Sequence, residues 1–544
     1  MAKLEIFSLF KTKTGESKMN KIDLRVAEDV LESLNQARTL AAGAPDAAQS
    51  ATELKEALHF AENNDLILQQ ESEGANGMKY FRYRQTYNGI PVWGETIIVT
   101  VDADGNYRPL HGNALQSIAS DIENTMPTLD IEVAIQKAKN ALMNEKGIEG
   151  NSVEVEKAEM VVYPRHDGRA RLCFDVSLFA EPVDGEPTRP TFLIDANTGK
   201  TVFHFDRITS LVSTTHSSMT PTASTETEEQ RYDSIALAPT LGTGPGGNEK
   251  TGRYEYKLHP GLGDFPAFPV TESNGTYVMD SENVNTVDLN HRFTGSTPYS
   301  YNPGPENTFK PINGAFCPLN DAQFFGNVVF NMYRQWFNTA PLAFKLTMRV
   351  HYGVNYGNAN WNGRAMSFGD GDNRFYPLVS LDVSAHEVSH GFTQQNSELI
   401  YVGESGGINE AFSDMAGEGA KFFLTGQNDF KVGASIFKKP DGALRYMDDP
   451  TRDGLSIDSV NDYYEGLDVH HSSGVYNKAF SVLARRPGWD TKKAFEVFVY
   501  ANKHKWTPSS GFFSGAVGVK DAANDLGYDT DDIVAAFAAV DINI

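Results

Sequence analysis

The chain has 544 residues, of which 40% are hydrophobic and 22% are charged, an ordinary composition for a globular protein. Since one hydrophobic core rarely serves so long a chain, about three or four domains are expected. The formal net charge of −24 argues against nucleic acid or an anionic membrane as a partner, and no apolar stretch is long enough to span a bilayer.

The N-terminal segment, residues 1–55, carries no recognisable chemistry. Residues 26–42 have apolar side chains at helical spacing, and the small and polar residues of 41–52 are typical of a linker. Residues 4–10 are apolar but include a glutamate, and two lysines follow within three residues, so this stretch does not fit a secretory signal.

Residues 56–117 alternate between apolar and polar side chains in the manner of β-strands. Asn88-Gly89 predicts a tight turn between two of these strands. The phrase that spans this turn, Gln-Thr-Tyr-Asn-Gly-Ile-Pro-Val at 85–92, resembles the propeptide module shared by fungalysins and thermolysins. The alternative is an unspecialised β-sheet domain.

Residues 128–207 begin with a predicted helix over 131–145, followed by predicted strands over 153–163, 169–179 and 189–195. The phrase Phe-Leu-Ile-Asp-Ala-Asn-Thr-Gly-Lys at 192–200 resembles a second propeptide module of the same zymogens, of the PepSY type.

Residues 208–243 are rich in Ser, Thr, Pro and Glu and contain few large apolar side chains. Such a segment cannot bury enough surface to order itself, so we expect a linker that contains the processing site, between about Ser234 and Gly244.

The two cysteines, Cys173 and Cys317, lie on opposite sides of this linker, and a lasting disulfide between them is not expected.

Residues 244–375 have the pattern of strands joined by Gly and Asn turns, with a predicted helix over 322–337. Tyr352, Trp361 and Phe368 are predicted core residues. From residue 381 the pattern is mainly helical, including 495–503 and 530–540.

Two histidines four residues apart, His386 and His390, flank a motif in which Glu387 directly follows the first. On a helix both imidazoles lie on one face and can reach one ion. Zinc suits them because it accepts His nitrogen and carboxylate oxygen in a tetrahedron and can keep one position for water. Glu387 would take a proton from that water, as in the H-E-x-x-H pattern of metallopeptidases. A chance match in an ordinary helix is the alternative.

A third ligand is predicted on the next helix. Glu410 lies twenty residues after His390 and can fold back toward the same ion, and Asp414, one turn further, can hydrogen-bond a ligand histidine. Taken alone, either carboxylate could belong to an exposed acidic helix face. That alternative does not explain why His386, Glu387, His390, Glu410 and Asp414 all occur at this spacing.

From about residue 244 to the C-terminus, the sequence resembles the thermolysin family of zinc endopeptidases. Two further phrases carry the resemblance, Tyr-Pro-Leu-Val-Ser-Leu-Asp at 376–382 and Asp-Val-His-His-Ser-Ser-Gly-Val-Tyr-Asn at 468–477. It implies one catalytic Zn²⁺ in a cleft between a β-rich lobe, 244–385, and a mainly α-helical lobe, 386–544. The expected fold class is α+β and multidomain, with two α+β propeptide modules followed by this two-lobed catalytic unit.

The resemblance also implies roles for residues around the reacting carbonyl. His470 would donate a hydrogen bond to the developing oxyanion, with Asp468 orienting its ring, and Tyr401, nine residues before Glu410, would be a second donor. The alternatives are a packed polar histidine and a tyrosine at the edge of the core.

Substrate binding is assigned in the same way. Asn358 and Ala359 match the edge that pairs with the substrate backbone, and Arg445 matches an arginine whose fork of donors binds a substrate carbonyl. A turn and a surface ion pair are the respective alternatives. An apolar pocket that would prefer a large hydrophobic residue after the scissile bond is matched by Phe375, Leu378, Val383, Val432 and Leu444.

The family's calcium ligands match Asp382, Glu418 and Asp429, with the carbonyl of Lys431 as a fourth. Lys421 stands where relatives have a glutamate, on the same helix face as Glu418. Its ammonium group would repel calcium and pair with the carboxylates, so we expect calcium binding to be weakened or lost.

Together these patterns predict a zinc-dependent neutral endopeptidase made as an autoprocessed zymogen and acting on proteins and peptides. By resemblance, its own propeptide would be an intramolecular chaperone and inhibitor, and the mature enzyme a secreted monomer. One alternative is a non-catalytic zinc-binding or adhesive protein on a peptidase scaffold, against which intact Glu387, His470 and Tyr401 argue. Another is a zinc aminopeptidase, which should carry an additional acidic anchor for the substrate amine.

Overall fold

The computed structural model describes residues 20–38, 43–148, 152–165, 168–213, 238–304 and 310–544. Two N-terminal units, each combining helix and sheet, precede a β-rich lobe and a mainly helical lobe, so the predicted α+β class is confirmed. Within these described ranges, no helix combines the length and the apolarity that crossing a bilayer would need.

The first unit is a sheet of order β1-β6-β5-β3-β2, with β4 added beside β3, covered by two helices. The turn predicted at Asn88-Gly89 is present, and both residues have positive φ, 50° and 77°, as this tight hairpin turn requires. The elements are β1 (Asn20–Asp23), α1 (Glu28–Arg38), α2 (Ala47–Ala57), β2 (Asn64–Glu73), β3 (Lys79–Tyr87), β4 (Ile90–Pro91), β5 (Ile97–Val101) and β6 (His111–Gln116).

The separate N-terminal segment predicted over 1–55 is wrong for its described part. Strand β1 pairs with β6, and Leu34 of α1 and Leu54 of α2 lie in one core with Phe81 of the sheet. The stretch expected to be a linker contains the start of α2, which Asp46 caps by accepting a hydrogen bond from the Gln49 amide at 2.8 Å. Small residues form a helix here because their apolar neighbours are buried against the sheet.

The second unit is an antiparallel sheet of order β10-β9-β8-β7 packed on one helix. Ala134, Ala138 and Leu142, spaced by four residues along that helix, are buried in the core of this unit. The elements are α3 (Ile131–Lys146), β7 (Val153–Pro164), β8 (Ala170–Ala180), β9 (Pro190–Asp195) and β10 (Thr201–Asp206).

The β-rich lobe is built on a five-stranded sheet of order β11-β21-β22-β20-β18. A largely buried helix, α4, packs on it, and Tyr352, Trp361 and Phe368 are buried as predicted. The elements are β11 (Thr209–Ser210), β12 (Ala238–Gly242), β13 (Gly244–Asn248), β14 (Gly252–Lys257), β15 (Phe265–Pro266), β16 (Phe268–Ser273), β17 (Thr276–Val278), β18 (Val284–Asp288), β19 (Ser300–Tyr301), α4 (Pro318–Phe337), β20 (Leu346–Tyr352), β21 (Ala359–Trp361) and β22 (Ala365–Gly369).

The last lobe is mainly helical, and its first helix crosses the boundary predicted between residues 385 and 386. That helix therefore joins the two lobes rather than beginning the second. The elements are α5 (Leu381–Gln395), α6 (Gly403–Thr425), β23 (Lys431–Val432), β24 (Arg445–Tyr446), α7 (Val469–Ser472), α8 (Gly474–Ala484), α9 (Thr491–His504), α10 (Phe512–Asp525) and α11 (Thr530–Ala538).

The linker predicted over 208–243 is ordered at both described ends. Strand β11 pairs with β21, and β12 pairs with β16. Pairing with distant strands satisfies the backbone hydrogen bonds of these residues. This pairing orders them although the segment contains few large apolar side chains of its own. Residues 214–237, which include part of the predicted processing region, lie outside the described residues.

Two glycines bring α5 close to its neighbours. A Cβ on Gly391 would lie 2.4 Å from Leu342 Cδ2 and 3.0 Å from the Trp361 ring, and one on Gly417 of α6 would lie 3.1 Å from the Asp382 carbonyl oxygen. The absence of side chains at these two positions lets α5 approach both β21 and α6. This close packing sets the distance between the edge strand and the two histidines.

The N-terminal units contact both lobes through buried polar groups. Tyr80 of the first unit donates a hydrogen bond to Asp525 at 2.6 Å, and Lys505 pairs with the same carboxylate at 2.7 Å. Glu181 of the second unit pairs with Arg349 of the β-rich lobe. Since the first unit contacts the helical lobe and the second contacts the β-rich lobe, the N-terminal units connect the two lobes.

Candidate metal centre and cleft

Helices α5 and α6 bring His386, His390 and Glu410 together. The Nε2 atoms of the two histidines are 3.1 Å apart, and they lie 3.5 Å and 3.4 Å from the two carboxylate oxygens of Glu410. All three side chains are buried, and within the described part of the chain they form the one His, Cys, Asp and Glu group whose ligand atoms converge closely enough to hold a metal.

The donor set fits zinc. Ligand atoms around a tetrahedral zinc ion, with bonds of about 2.0–2.1 Å, lie about 3.3 Å apart, which is close to the separations in this triad. Neither carboxylate oxygen of the buried Glu387 accepts a hydrogen bond from any residue that the structure describes. A buried carboxylate without partners is costly, and a water molecule beside a bound ion would satisfy it. Burial and the nearby Glu410 carboxylate raise the pKa of Glu387.

Residues behind the triad orient its histidines. His386 Nδ1 lies 2.8 Å from Asp414 Oδ1, and His390 Nδ1 lies 2.8 Å from Asn409 Oδ1. These contacts leave both Nε2 atoms directed at the shared position. Burial raises the pKa of Asp414, but the Arg445 guanidinium and His386 outweigh it, so the pKa lies below the usual range.

His470 lies beside the triad, next to Glu410. Its Nδ1 lies 2.7 Å from Asp468 Oδ1, and its Nε2 lies 3.7 Å from Glu410 Oε1. Burial lowers the pKa of His470, but Glu410 and the bond to Asp468 raise it more, so the net shift is upward. The Tyr401 hydroxyl donates a hydrogen bond to Glu410.

Residues 209–213 lie in the cleft, and the first two of them form β11, which is antiparallel to β21. The Leu211 amide donates to the Ala359 carbonyl at 3.1 Å, and Asn358 both accepts from the Val212 amide and donates to its carbonyl, each at 3.0 Å. The edge strand predicted to pair with a substrate backbone is thus paired with the chain's own backbone.

Two further groups hold the carbonyls of this segment. Arg445 donates one hydrogen bond to the Leu211 carbonyl at 2.9 Å, while its other nitrogens bind Asp414. His470 Nε2 lies 2.7 Å from the Ser210 carbonyl oxygen. The Ser213 hydroxyl donates to Asp468 at 2.7 Å.

The apolar side of the cleft receives Leu211, whose side chain is fully buried. It belongs to the same core cluster as four of the five predicted pocket residues, and the fifth packs against that cluster; in order these are Phe375, Leu378, Val383, Val432 and Leu444. A cavity of about 1850 Å³ opens between the two N-terminal units and the helical lobe, and Ser210, Tyr401, Asp468 and His470 lie in its wall.

Sequence reasoning missed three elements of this site. It assigned no role to Asn409, although this residue directly precedes Glu410, and none to Asn477, which donates to Asp414 at 2.8 Å. It also did not predict that residues 210–212 lie in the cleft. These residues are ordered by hydrogen bonds to a strand that is distant in sequence, and no local pattern shows such bonds.

The groups predicted to bind calcium surround the Lys421 ammonium instead. Lys421 Nζ donates to Glu418 at 2.6 Å, to Asp429 at 2.8 Å and to the Lys431 carbonyl at 2.8 Å, and Asp382 Oδ2 is 3.6 Å away. Burial lowers the pKa of Lys421, but attraction to the three carboxylates raises it above its usual value. The arrangement agrees with the expectation that an ammonium group takes the place of a divalent cation.

Family models match three parts of the chain. The thermolysin metallopeptidase catalytic domain matches residues 251–394, and the alpha-helical domain of the same family matches residues 397–542. The Fungalysin/Thermolysin Propeptide Motif matches residues 64–114. These ranges cover most of the β-rich lobe together with nearly all of α5, the rest of the helical lobe, and most of the sheet of the first unit.

Relatives extend the similarity over most of the chain. The Hemagglutinin/proteinase of Vibrio cholerae is 46% identical over 471 residues, which cover 86% of this chain and 72% of that protein. The Neutral protease of Vibrio proteolyticus is 46% identical over 472 residues, with the same 86% and 72% covered. The Zinc metalloproteinase MspA of Legionella longbeachae is 38% identical over 516 residues, which cover 88% of this chain and 89% of that protein.

Proposed function

Since this chain belongs to the thermolysin family of zinc metalloendopeptidases and carries that family's propeptide motif, we propose that it is a zymogen whose cleft cuts peptide bonds on the N-terminal side of large apolar residues. The observation that carries the proposal is the backbone of residues 210–212, which the cleft holds as it would hold a substrate. A non-catalytic adhesive protein is not favoured, because hydrolysis needs the convergent triad and a carboxylate such as Glu387, which accepts no hydrogen bond from the described residues.

Glu387 is the proposed general base. When bound, zinc lowers the pKa of a water molecule to about 7 and polarises the substrate carbonyl. Glu387 takes the proton of the attacking water and then delivers it to the leaving amine. Its two oxygens, which accept no hydrogen bond within the described residues, are available for both transfers.

His470 is the proposed donor to the oxyanion. Both of its ring nitrogens face acceptors, Asp468 on one side and a peptide carbonyl on the other. A histidine can donate from both nitrogens only when it is doubly protonated. The resulting cation stabilises negative charge on the carbonyl oxygen, and Tyr401, close by, is the proposed second donor.

Substrate residues after the scissile bond would bind as residues 211 and 212 do. Asn358, Ala359 and Arg445 hold the main chain and therefore give no preference between sequences. The preference is assigned to the apolar cluster that contains Leu211 and four of the predicted pocket residues. Export from the cell and a monomeric mature enzyme are further parts of the proposal and come from the family resemblance.

The substrate preference can be measured with peptides that differ only in the residue after the scissile bond. Burying a leucine side chain contributes about 1.5–3 kcal/mol, so kcat/KM is expected to be about ten- to hundredfold higher for Leu or Phe than for Gly. A zinc chelator should abolish hydrolysis and added zinc should restore it. Equal rates for Leu, Gly and Asp peptides would contradict the preference.

The contacts of the propeptide with the catalytic lobes predict a specific loss of inhibition. Tyr80→Phe removes a hydrogen bond to the buried carboxylate of Asp525, which is expected to weaken inhibition by the separate propeptide by about 1.5–3 kcal/mol, or about ten- to hundredfold. The inhibition constant against a peptide substrate measures this effect.

A matched control is Tyr87→Phe, since the Tyr87 hydroxyl donates to the Ile122 carbonyl within the N-terminal region itself. Equal weakening by the two substitutions would mean that the effect arises from propeptide folding and not from the contact with Asp525.

A further inference from the structure

The segment in the cleft presents one particular peptide bond to the metal centre. The Leu211 carbonyl is held by Arg445, whereas the Ser210 carbonyl faces His470 at 2.7 Å. The same histidine nitrogen is 3.7 Å from Glu410 of the triad. The Ser210 carbonyl is therefore the one presented to the groups that polarise and attack a substrate.

The register around this bond is set on both sides. Strand β11 places Thr209 opposite Trp361 and Ser210 opposite Asn360. Beyond the bond, Asn358 holds both polar groups of Val212. A shift by one residue would turn the buried Leu211 side chain out of the apolar cluster and leave these donors and acceptors without partners.

We propose that the chain cuts itself at the Ser210–Leu211 peptide bond, within its own cleft. The oxygen of a water molecule adds to the Ser210 carbonyl carbon, and the bond from that carbon to the Leu211 nitrogen breaks. Both protons of the water pass to the Leu211 nitrogen, so the products are a Ser210 carboxylate and a protonated Leu211 amine. This proposal rests on the peptidase activity proposed above. It replaces the processing site predicted between Ser234 and Gly244.

Contacts on the far side of the linker support the replacement. Leu241 lies in β12, whose five residues pair with β16 in a sheet of the β-rich lobe. A bond in that strand is engaged in a ladder and would have to leave it to enter the cleft. The Ser210–Leu211 bond already lies there.

The experiment identifies the new C-terminus of the propeptide and the new N-terminus of the mature chain. Purified full-length chain loaded with zinc is followed by mass spectrometry from the first minutes, so that primary cleavage is separated from later trimming. The expected first products are a propeptide that ends at Ser210 and a mature chain that begins at Leu211. The rate constant should not change with protein concentration, since the bond and the catalytic groups belong to one molecule.

Three variants test the pocket. Leu211→Asp places a charge where an apolar side chain is buried and should slow cleavage by about 100-fold or more. Leu211→Phe keeps a large apolar side chain and should be cut at the same bond. Leu241→Asp makes the same chemical change at an exposed leucine inside the region first predicted for processing and should be cut like the wild type. Circular dichroism checks that each variant is folded. If Leu211→Asp does not fold, Leu211→Phe still tests whether the bond before this residue is the one cut.

The outcomes separate this proposal from the proposed function. If casein is digested but the first propeptide ends elsewhere, the Ser210–Leu211 assignment is overturned and the peptidase function stands. If cleavage occurs at this bond but its rate rises in proportion to concentration, cutting within one molecule is overturned. If the zinc-loaded chain cuts neither itself nor casein, both proposals fall.

Discussion

Replacing Glu387 by glutamine should lower casein hydrolysis and self-cleavage by about 10²–10⁴-fold, because the amide cannot accept the proton of the attacking water. Zinc should remain bound, since the triad of His386, His390 and Glu410 does not include this residue. The measurements are the initial rate on casein, the mass of the full-length chain and the metal content by elemental mass spectrometry.

The control is Glu282→Gln, which makes the same change at a side chain that is 80% exposed and pairs only loosely with Arg334 at 3.4 Å. Activity and processing should then equal those of the wild type. If Glu387→Gln retained full activity with one zinc bound, the general base would have to be another group, and the assignment of Glu387 would be wrong.

The second large effect is expected at Lys421. Lys421→Ala leaves Asp382, Glu418 and Asp429 close together without the ammonium group that pairs with them. The free energy of unfolding should fall by about 2–4 kcal/mol. This is less than for a fully buried pair, because the Lys421 side chain is 20% exposed. Calcium should restore much of this loss, since three carboxylates and the Lys431 carbonyl then form a set of oxygen ligands.

The measurement is the unfolding temperature with millimolar calcium and with a calcium chelator, in the Glu387→Gln background to prevent self-digestion. The chain with Lys421 intact should unfold at the same temperature in both conditions, whereas Lys421→Ala should be stabilised by calcium. Lys345→Ala removes a half-exposed ammonium that pairs with Asp280, and should show little change in either condition. Tight calcium binding by the chain with Lys421 intact, measured by calorimetry, would show that the ammonium does not replace the ion.

Local patterns were sufficient for much of the catalytic unit. The four-residue spacing of His386 and His390 places both rings on one helix face whatever surrounds the helix, because the period of the helix determines it. The predicted helices over 131–145, 322–337, 495–503 and 530–540 correspond to α3, α4, α9 and α11, with ends that differ by a few residues. Tyr352, Trp361 and Phe368 were predicted as core residues and are buried, as is usual for large aromatic side chains.

The N-terminal 55 residues show where local patterns fail. Their small and polar stretch predicted a linker, yet α2 begins within it and covers the sheet that β1 completes. Alanine-rich and polar sequences are compatible with both linker and helix, and burial against a partner decides between them.

By itself, the sequence determined the zinc-binding helix, the expectation of a third ligand at Glu410 and the presence of an ammonium among the calcium-type carboxylates, because each depends on residue type and short-range spacing. Only the tertiary structure showed which peptide carbonyl faces His470 beside the triad. Residues 209–213 have no ordering signal of their own, and they are held because the edge of β21, the fork of Arg445 and an apolar pocket from distant parts of the chain together satisfy their backbone and bury Leu211.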